Sequence, residues 1–242
     1  MDEKINEFKD IIEKSNNIVF FGGAGVSTES GIPDFRSKDG LYNQKYKYPP
    51  ETILSHTFFL GNPEEFYKFY RDKMNATKFE PNITHLKLVE LEKQGKLKAI
   101  VTQNIDGLHQ KAGSKVVYEL HGSIYRNYCM KCKKFYGPEY IFGEDKNDVP
   151  TCTDCGGMIK PDVVLYEEGL DDETVSGAIS AIANADTLIV AGTSLTVYPA
   201  SGLIRYFRGN NLILINRDAT SYDSMATLVI HESLGKVFEN IN

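Results

Sequence analysis

"IVFFGGAGVSTESGIPDFR", residues 18–36, decides the fold. Ile18 to Phe21 form a short apolar run with no polar alternation, which suits a strand covered on both faces in a parallel sheet. The run passes directly into Gly22, Gly23 and Gly25. Glycines at the end of such a strand let the backbone approach a phosphate, and a following helix offers its N-terminal amides. The same glycines also suit a tight structural turn. The dinucleotide fingerprint Gly-x-Gly-x-x-Gly is incomplete, because Gly23 and Gly25 fit but Thr28 holds the third place. No acidic residue stands clearly at the distance where that fingerprint places its ribose partner. Past Pro33, Asp34, Phe35 and Arg36 put a carboxylate, an aromatic face and a phosphate-binding cation in one loop.

Outward from this stretch, strand-like runs recur as "LKAIV" (97–101), "KVVYEL" (115–120), "TLIVAGTSL" (187–195), "LILIN" (212–216) and "ATLVI" (226–230). Helical spacing separates them: Ile5, Phe8 and Ile11/Ile12; Phe66, Phe69 and Tyr70; Leu86 and Val89, stopped at Gly95; Val175, Ile179 and Ile182. Strands alternating with helices predict an α/β fold with a doubly wound parallel sheet. Two segments break the rhythm, one rich in Tyr, Pro and Lys and one holding every cysteine. They are expected to form a smaller part over the carboxyl edge of the sheet. The expected division is one domain over 1–242, its larger part made of 1–36, 83–122 and 160–242, its smaller part of 37–82 and 123–159.

The net charge of −6 and a pI near 5.5 leave no footprint for nucleic acid. The polar, acidic N-terminus is unlike a signal peptide, and no run has the length of a membrane span. The expectation is a soluble cytoplasmic protein. All four cysteines fall in two Cys-x2-Cys pairs, Cys129/Cys132 and Cys152/Cys155, with 19 residues between the pairs. That pattern predicts a closed four-thiolate zinc site, which leaves no coordination position for chemistry and is therefore structural.

The segment "TQNIDGLHQKAGSKVVYELHG" (102–122) places polar groups where two strands end. Gln103, Asn104 and Asp106 follow one strand and His121 follows the other, so an amide pair, a carboxylate and an imidazole meet at one edge. Imidazole titrates near neutrality and suits a general base, which singles out His121 among five histidines.

Taken in order, "GAGVSTESGIPDFR", "TQNIDGLHQKAG", "ELHG", the four cysteines, "PDVVLY" and "AGTSLTVYPA" resemble the sirtuin family of NAD-dependent protein lysine deacylases, most closely its bacterial undifferentiated branch. The resemblance spans nearly the whole chain. It implies a Rossmann-like sheet domain with a smaller zinc-binding and helical domain, NAD consumed as a co-substrate, and one structural zinc. It implies deacetylation of acetyl-lysine proteins or peptides, with release of nicotinamide and O-acetyl-ADP-ribose, by a monomer that engages neither nucleic acid nor membrane. Ala24, Thr28, Phe35 and Arg36 would line the NAD pocket. Gln103, Asn104, Ile105 and Asp106 would hold the nicotinamide ribose and carboxamide. Thr193, Ser194, Asn216, Asp218 and Ile230 would hold the phosphates and adenosine half. His121 would be the base, with Val164, Tyr166, Glu168 and Val197 flanking the acyl-lysine tunnel.

The chain departs from the family pattern at Gly22, usually Thr, and at Glu167, usually Gly. Its "EEFYKFYRDKM" also carries Tyr70 where the branch that takes acidic acyl groups resembles Tyr-x-x-Arg, so neutral acyl groups are expected. An ADP-ribosyltransferase using the same pocket and a non-catalytic NAD sensor are the alternative readings; the incomplete fingerprint disfavours a hydride-transferring dehydrogenase.

Overall fold

The computed structural model describes residues 2–34, 40, 46–143 and 149–241. Strands β1 (Ile18–Gly22), β2 (Leu97–Thr102) and β3 (Val117–Glu119) run parallel, followed later by β7 (Thr187–Ala191), β8 (Asn211–Ile215) and β9 (Leu228–Ile230). They form one sheet in the order β3-β2-β1-β7-β8-β9. The chain thus leaves β1 in one direction to build β2 and β3, then returns to its other side, and that reversal opens a crevice at the carboxyl ends of β1 and β7.

The missing alternation in β1 has a direct cause. Ile18 and Phe20 enter one core with Phe8, Ile12, Val237 and Phe238. Val19 and Phe21 enter the other with Ala178, Ile182, Leu203 and Ile204. The first core lies under α1 (Asp2–Lys14), α5 (Ile83–Lys93) and the short α9 (Leu234–Phe238); the second lies under α8 (Asp172–Asn184). Local sequence sets the helix starts. Asn82 accepts from the Thr84 N–H (3.0 Å) and Asp171 from the Thr174 N–H (2.8 Å), each satisfying an otherwise orphaned amide.

The interrupting segments pack together around a core of their own. In chain order α2 (Pro50–Ile53), α3 (His56–Gly61), α4 (Pro63–Lys73) and α7 (Pro138–Phe142) pack on an antiparallel sheet of β5 (Phe135–Tyr136), β4 (Gly122–Cys129) and β6 (Ile159–Val163). The boundaries expected at 122/123 and 159/160 therefore fall inside β4 and β6. Phe59, Phe66, Tyr67 and Tyr70 fill this third core edge to face or stacked, at centroid separations such as 4.9 Å for Phe59–Phe66.

A buried polar pair stands out where α5 meets α6 (Leu108–Ala112). The rings of His85 and His109 lie 4.8 Å apart, both fully buried. His85 Nδ1 accepts from the Asn82 N–H at 3.2 Å, while both His109 nitrogens have no hydrogen-bond partner among the described residues. Burial lowers His85 to about 4; burial and the neighbouring His85 hold His109 well below its usual value. The unfolded chain binds protons on these rings below about pH 6.5 and the folded chain does not, so stability falls with pH across that window. From about pH 6.5 down to 4, His85 alone should account for about 3 kcal/mol of lost stability. Urea unfolding at stepped pH checks this: His109→Phe should flatten the slope, and an unchanged slope would contradict the assignment.

Candidate active site

Six parallel strands end on the same edge, and the residues just beyond those ends line a cleft of about 700 Å³. After β1 the chain does not enter the regular helix expected there. It makes two 3-10 turns, Ala24–Val26 and Thr28–Ser30, and reverses at Gly31 with φ 93°. The tight turn brings backbone against backbone: the Gly25 N–H donates to the Gly192 carbonyl at 2.8 Å, and a Cβ on Gly25 would stand 2.7 Å from Gly192 Cα. Any side chain at position 25 would push the loops after β1 and β7 apart. Thr28, in place of the fingerprint's third glycine, donates its hydroxyl to the Gly25 carbonyl at 3.0 Å and pins the turn.

Gln103 follows β2 and joins three strand ends. Its N–H donates to the Gly22 carbonyl (2.9 Å), and its side-chain amide donates to Thr193 Oγ1 (3.1 Å). Its carbonyl lies 2.9 Å from His121 Nδ1. A carbonyl can only accept, so Nδ1 carries the proton and Nε2 is left with its lone pair. Burial lowers the His121 pKa, opposed by the bond to Gln103, so the ring is neutral at neutral pH. This is the protonation state a base requires.

Asp106 is buried, and both its oxygens are engaged: Oδ2 accepts from Ser27 Oγ (2.7 Å) and Oδ1 from the Leu108 N–H (2.9 Å). Ser27 also accepts from Asn104 Nδ2 at 3.1 Å. Burial raises the Asp106 pKa against the pull of these hydrogen bonds. Sequence reasoning passed over Ser27, whose hydroxyl joins the glycine turn to the 103–106 segment; its only signal was a small hydroxyl residue inside that turn.

Ala24, Thr28, Gln103, Asn104, Ile105, Asp106 and His121 all line the cleft, as do Thr193, Ser194, Asn216 and Asp218. Ile230 does not. It is buried at the end of β9 and offers only its carbonyl, which holds the Asn216 N–H at 3.1 Å. Phe35 and Arg36 lie outside the described residues.

The comparisons with known proteins bear on this arrangement. Residues 23–199 match the Sir2 family. A protein of Clostridium acetobutylicum named NAD-dependent protein deacetylase is 62% identical over 99% of this chain and 98% of its own length. A solved Sir2 structure with deacetylated p53 peptide and 3'-O-acetyl ADP ribose aligns with TM-score 0.89 at 38% identity, covering 98% of this chain and 96% of that one. Another, of Sir2 with p53 peptide and NAD+, aligns with TM-score 0.86 at 38% identity over 97% and 95%. The chain belongs to the Sir2 family.

On the far wall of this Sir2-family cleft, Val164, Tyr166, Glu168 and Val197 line the opening. The Val164 N–H donates to the His121 carbonyl (3.0 Å), and Tyr166 bridges in parallel to Ser55 through bonds with Leu54 and His56. Glu168 braces this wall from within: it meets His56 Nδ1 (2.8 Å), Lys160 Nζ (3.1 Å) and the Leu165 N–H (2.9 Å). Burial would raise its pKa, but these partners outweigh burial and lower it. Glu167, where the family pattern has Gly, does adopt φ 75°. Its carboxylate turns to the start of α3 and accepts from the Thr57 N–H (2.8 Å) and hydroxyl (2.7 Å). The acid beside the wall is therefore spent on a helix cap.

The four cysteines converge as well. All four Sγ atoms lie within 4.8 Å of one another, with Cys129–Cys155 at 3.4 Å and Cys132–Cys152 at 3.5 Å. Tetrahedral zinc with Zn–S bonds of about 2.3 Å needs sulfurs about 3.8 Å apart, so the set fits one zinc ion with its shell closed. Cys129 ends β4 and none of the four cysteines lines the cleft, which suits a metal that fixes the turn between β4 and β6. Chelation should release one zinc per chain and melt the three-stranded sheet first. Metal content and circular dichroism followed together check this; a folded, metal-free protein of unchanged stability would contradict it.

Proposed function

We propose that this protein is an NAD-dependent protein lysine deacetylase, removing acetyl and other neutral acyl groups from lysine. One observation carries the reading: a neutral, half-buried His121, its proton held on Nδ1 by the Gln103 carbonyl, lines the same cleft as the glycine turn and the 103–106 segment. The incomplete dinucleotide fingerprint, with Thr28 in its third place, disfavours a dehydrogenase, and a passive NAD sensor has no use for such a base.

The glycine turn and the close approach of Gly25 to Gly192 fit a dinucleotide pyrophosphate, which needs bare backbone. Ala24, Thr28, Thr193, Ser194, Asn216 and Asp218 would hold that half of NAD. Asn104, Ile105 and Asp106 would hold the nicotinamide end. When bound, NAD supplies an activated anomeric carbon whose nicotinamide leaves and whose ribose accepts the acyl group. The work of the chain is to orient and to move one proton. Ser27 and Leu108 keep Asp106 in place, Asn104 is steered by Ser27, and His121 Nε2 takes a proton from a hydroxyl presented to it. Val164, Tyr166 and Val197 would flank an extended peptide and draw the acyl-lysine into the cleft.

The preference for neutral acyl groups follows from the cations. Arg71 lies off the cleft, its Nε donating to the Ile141 carbonyl (3.0 Å) and its guanidinium over the Tyr67 ring. Lys73 lines the cleft but is paired with Asp72 at 2.9 Å. Beside Tyr70, an acidic acyl group would lose water without gaining an unpaired cation from Arg71 or Lys73. The same reading divides the chain into a Rossmann-like part and a smaller zinc-binding and helical part, acting as a cytoplasmic monomer on acetylated proteins. Among the described residues no helix is long and apolar enough to cross a membrane.

Mass spectrometry of an acetyl-lysine peptide, with and without NAD, tests the reading. The peptide should lose its acetyl group only with NAD, and O-acetyl-ADP-ribose should appear. His121→Ala should lower turnover by a factor of about 10²–10⁴ while NAD binding persists. Nicotinamide release with the peptide left acetylated would favour an ADP-ribosyltransferase.

A further inference from the structure

Helix α4 buries two phenols in the aromatic core, and their oxygens have different fates. Tyr67 donates its hydroxyl to the Ile159 carbonyl. Tyr70 is fully buried, and its hydroxyl has no partner among the described residues. Packing explains the ring but not the oxygen. The ring stacks on Phe66 at 5.4 Å and on Phe142 at 5.5 Å, contacts a phenylalanine would make equally well. A buried hydroxyl without a partner is a cost to folding that no described residue offsets.

Tyr70 also lines the cleft, and there its surroundings are specific. Leu54, Met74, Ala76, Phe79 and Leu165 belong both to the cleft lining and to the aromatic core, so one arm of the cleft enters that core. Tyr70 thus offers an already desolvated phenol among mostly apolar side chains of the same cleft as His121, where the neighbouring Lys73 is paired with Asp72. Burial holds the phenol protonated, leaving it able both to donate and to accept.

We propose that this arm selects acyl groups bearing a neutral oxygen, hydroxyacyl- and ketoacyl-lysine, with Tyr70 Oη as the hydrogen-bond partner of that oxygen. The inference rests on the deacylase reading above and names a substrate class within it. A plain alkyl chain fills the arm but leaves the phenol orphaned. A carboxylate brings a charge that the arm does not neutralise. A hydroxyl or keto group gives up its water and regains a bond from a group that has already lost its own. Sites with a buried polar group waiting in this way discriminate against the analogue that lacks the matching atom.

The test uses four peptides of one sequence, carrying propionyl-, 2-hydroxypropionyl-, butyryl- and 3-hydroxybutyryl-lysine, with the acetyl peptide as reference. In the wild-type protein kcat/KM for one hydroxyacyl peptide, at the chain length that reaches Tyr70, should match or exceed that of its alkyl partner. Tyr70→Phe should lower that hydroxyacyl-to-alkyl ratio by about three- to tenfold, mainly through KM. Equal ratios in both proteins at both chain lengths would overturn the proposal and assign Tyr70 to packing. Should Tyr70→Phe misfold, calorimetric binding to wild-type protein decides: each hydroxyacyl peptide binding tenfold more weakly than its alkyl partner would overturn it. An acetyl peptide left intact in the presence of NAD would instead overturn the parent reading, and this one with it.

Discussion

The peptide unit of Gln103 holds the site together. Its N–H is bound to the end of β1, its side chain to Thr193 beyond β7, and its carbonyl to His121 beyond β3. Four strand ends are thereby tied to one residue. The consequence for chemistry is the tautomer. A carbonyl on Nδ1 leaves Nε2 unprotonated, and burial keeps the second proton off. Without that carbonyl the ring could rotate or change tautomer, and its position beside the 103–106 segment would no longer make it a base.

The smaller part is joined to the sheet at the same place. Directly after His121, Gly122 turns with φ 74°, where a Cβ would collide with the Asp162 carbonyl. β4 then runs away from the site beside β6. Arg126 on β4 spans the junction, bonding Glu119 at the end of β3 (2.6 Å) and Asp162 on β6 (2.7 Å). The base, the junction of the two sheets and the wall from Val164 to Glu168 are therefore neighbours in space. That wall is fixed by its own contacts to Leu54, His56 and Thr57. Order at the peptide side of the cleft thus depends on α3 as much as on the sheet.

Much of this was legible in the residues. The unalternating run at 18–21 reports burial on both faces, because neighbouring side chains enter opposite cores. The doubled Cys-x2-Cys reports a metal site, because four soft ligands at that spacing have few other uses. What stayed hidden depends on contacts between distant segments. Ser27 is unremarkable until Asp106 and Asn104 are beside it. Two 3-10 turns replace a helix after β1 because the chain must pass against Gly192 and then reverse at Gly31. Glu167 stands out in sequence only as a departure from the usual Gly, and its partner is the start of a helix 110 positions earlier. Tyr67 and Tyr70 read alike as helix-face aromatics; only their surroundings separate a spent hydroxyl from an orphaned one.

The central claim is that His121 is a neutral imidazole with its proton on Nδ1 and Nε2 free, before any ligand binds. Nitrogen-15 chemical shifts of histidine-labelled protein at neutral pH measure this directly, with His121→Gln used to assign the ring. The account predicts one protonated nitrogen, Nδ1, and one pyridine-like nitrogen, Nε2, persisting below pH 6.5. An imidazolium at neutral pH, or a ring protonated on Nε2, would contradict it.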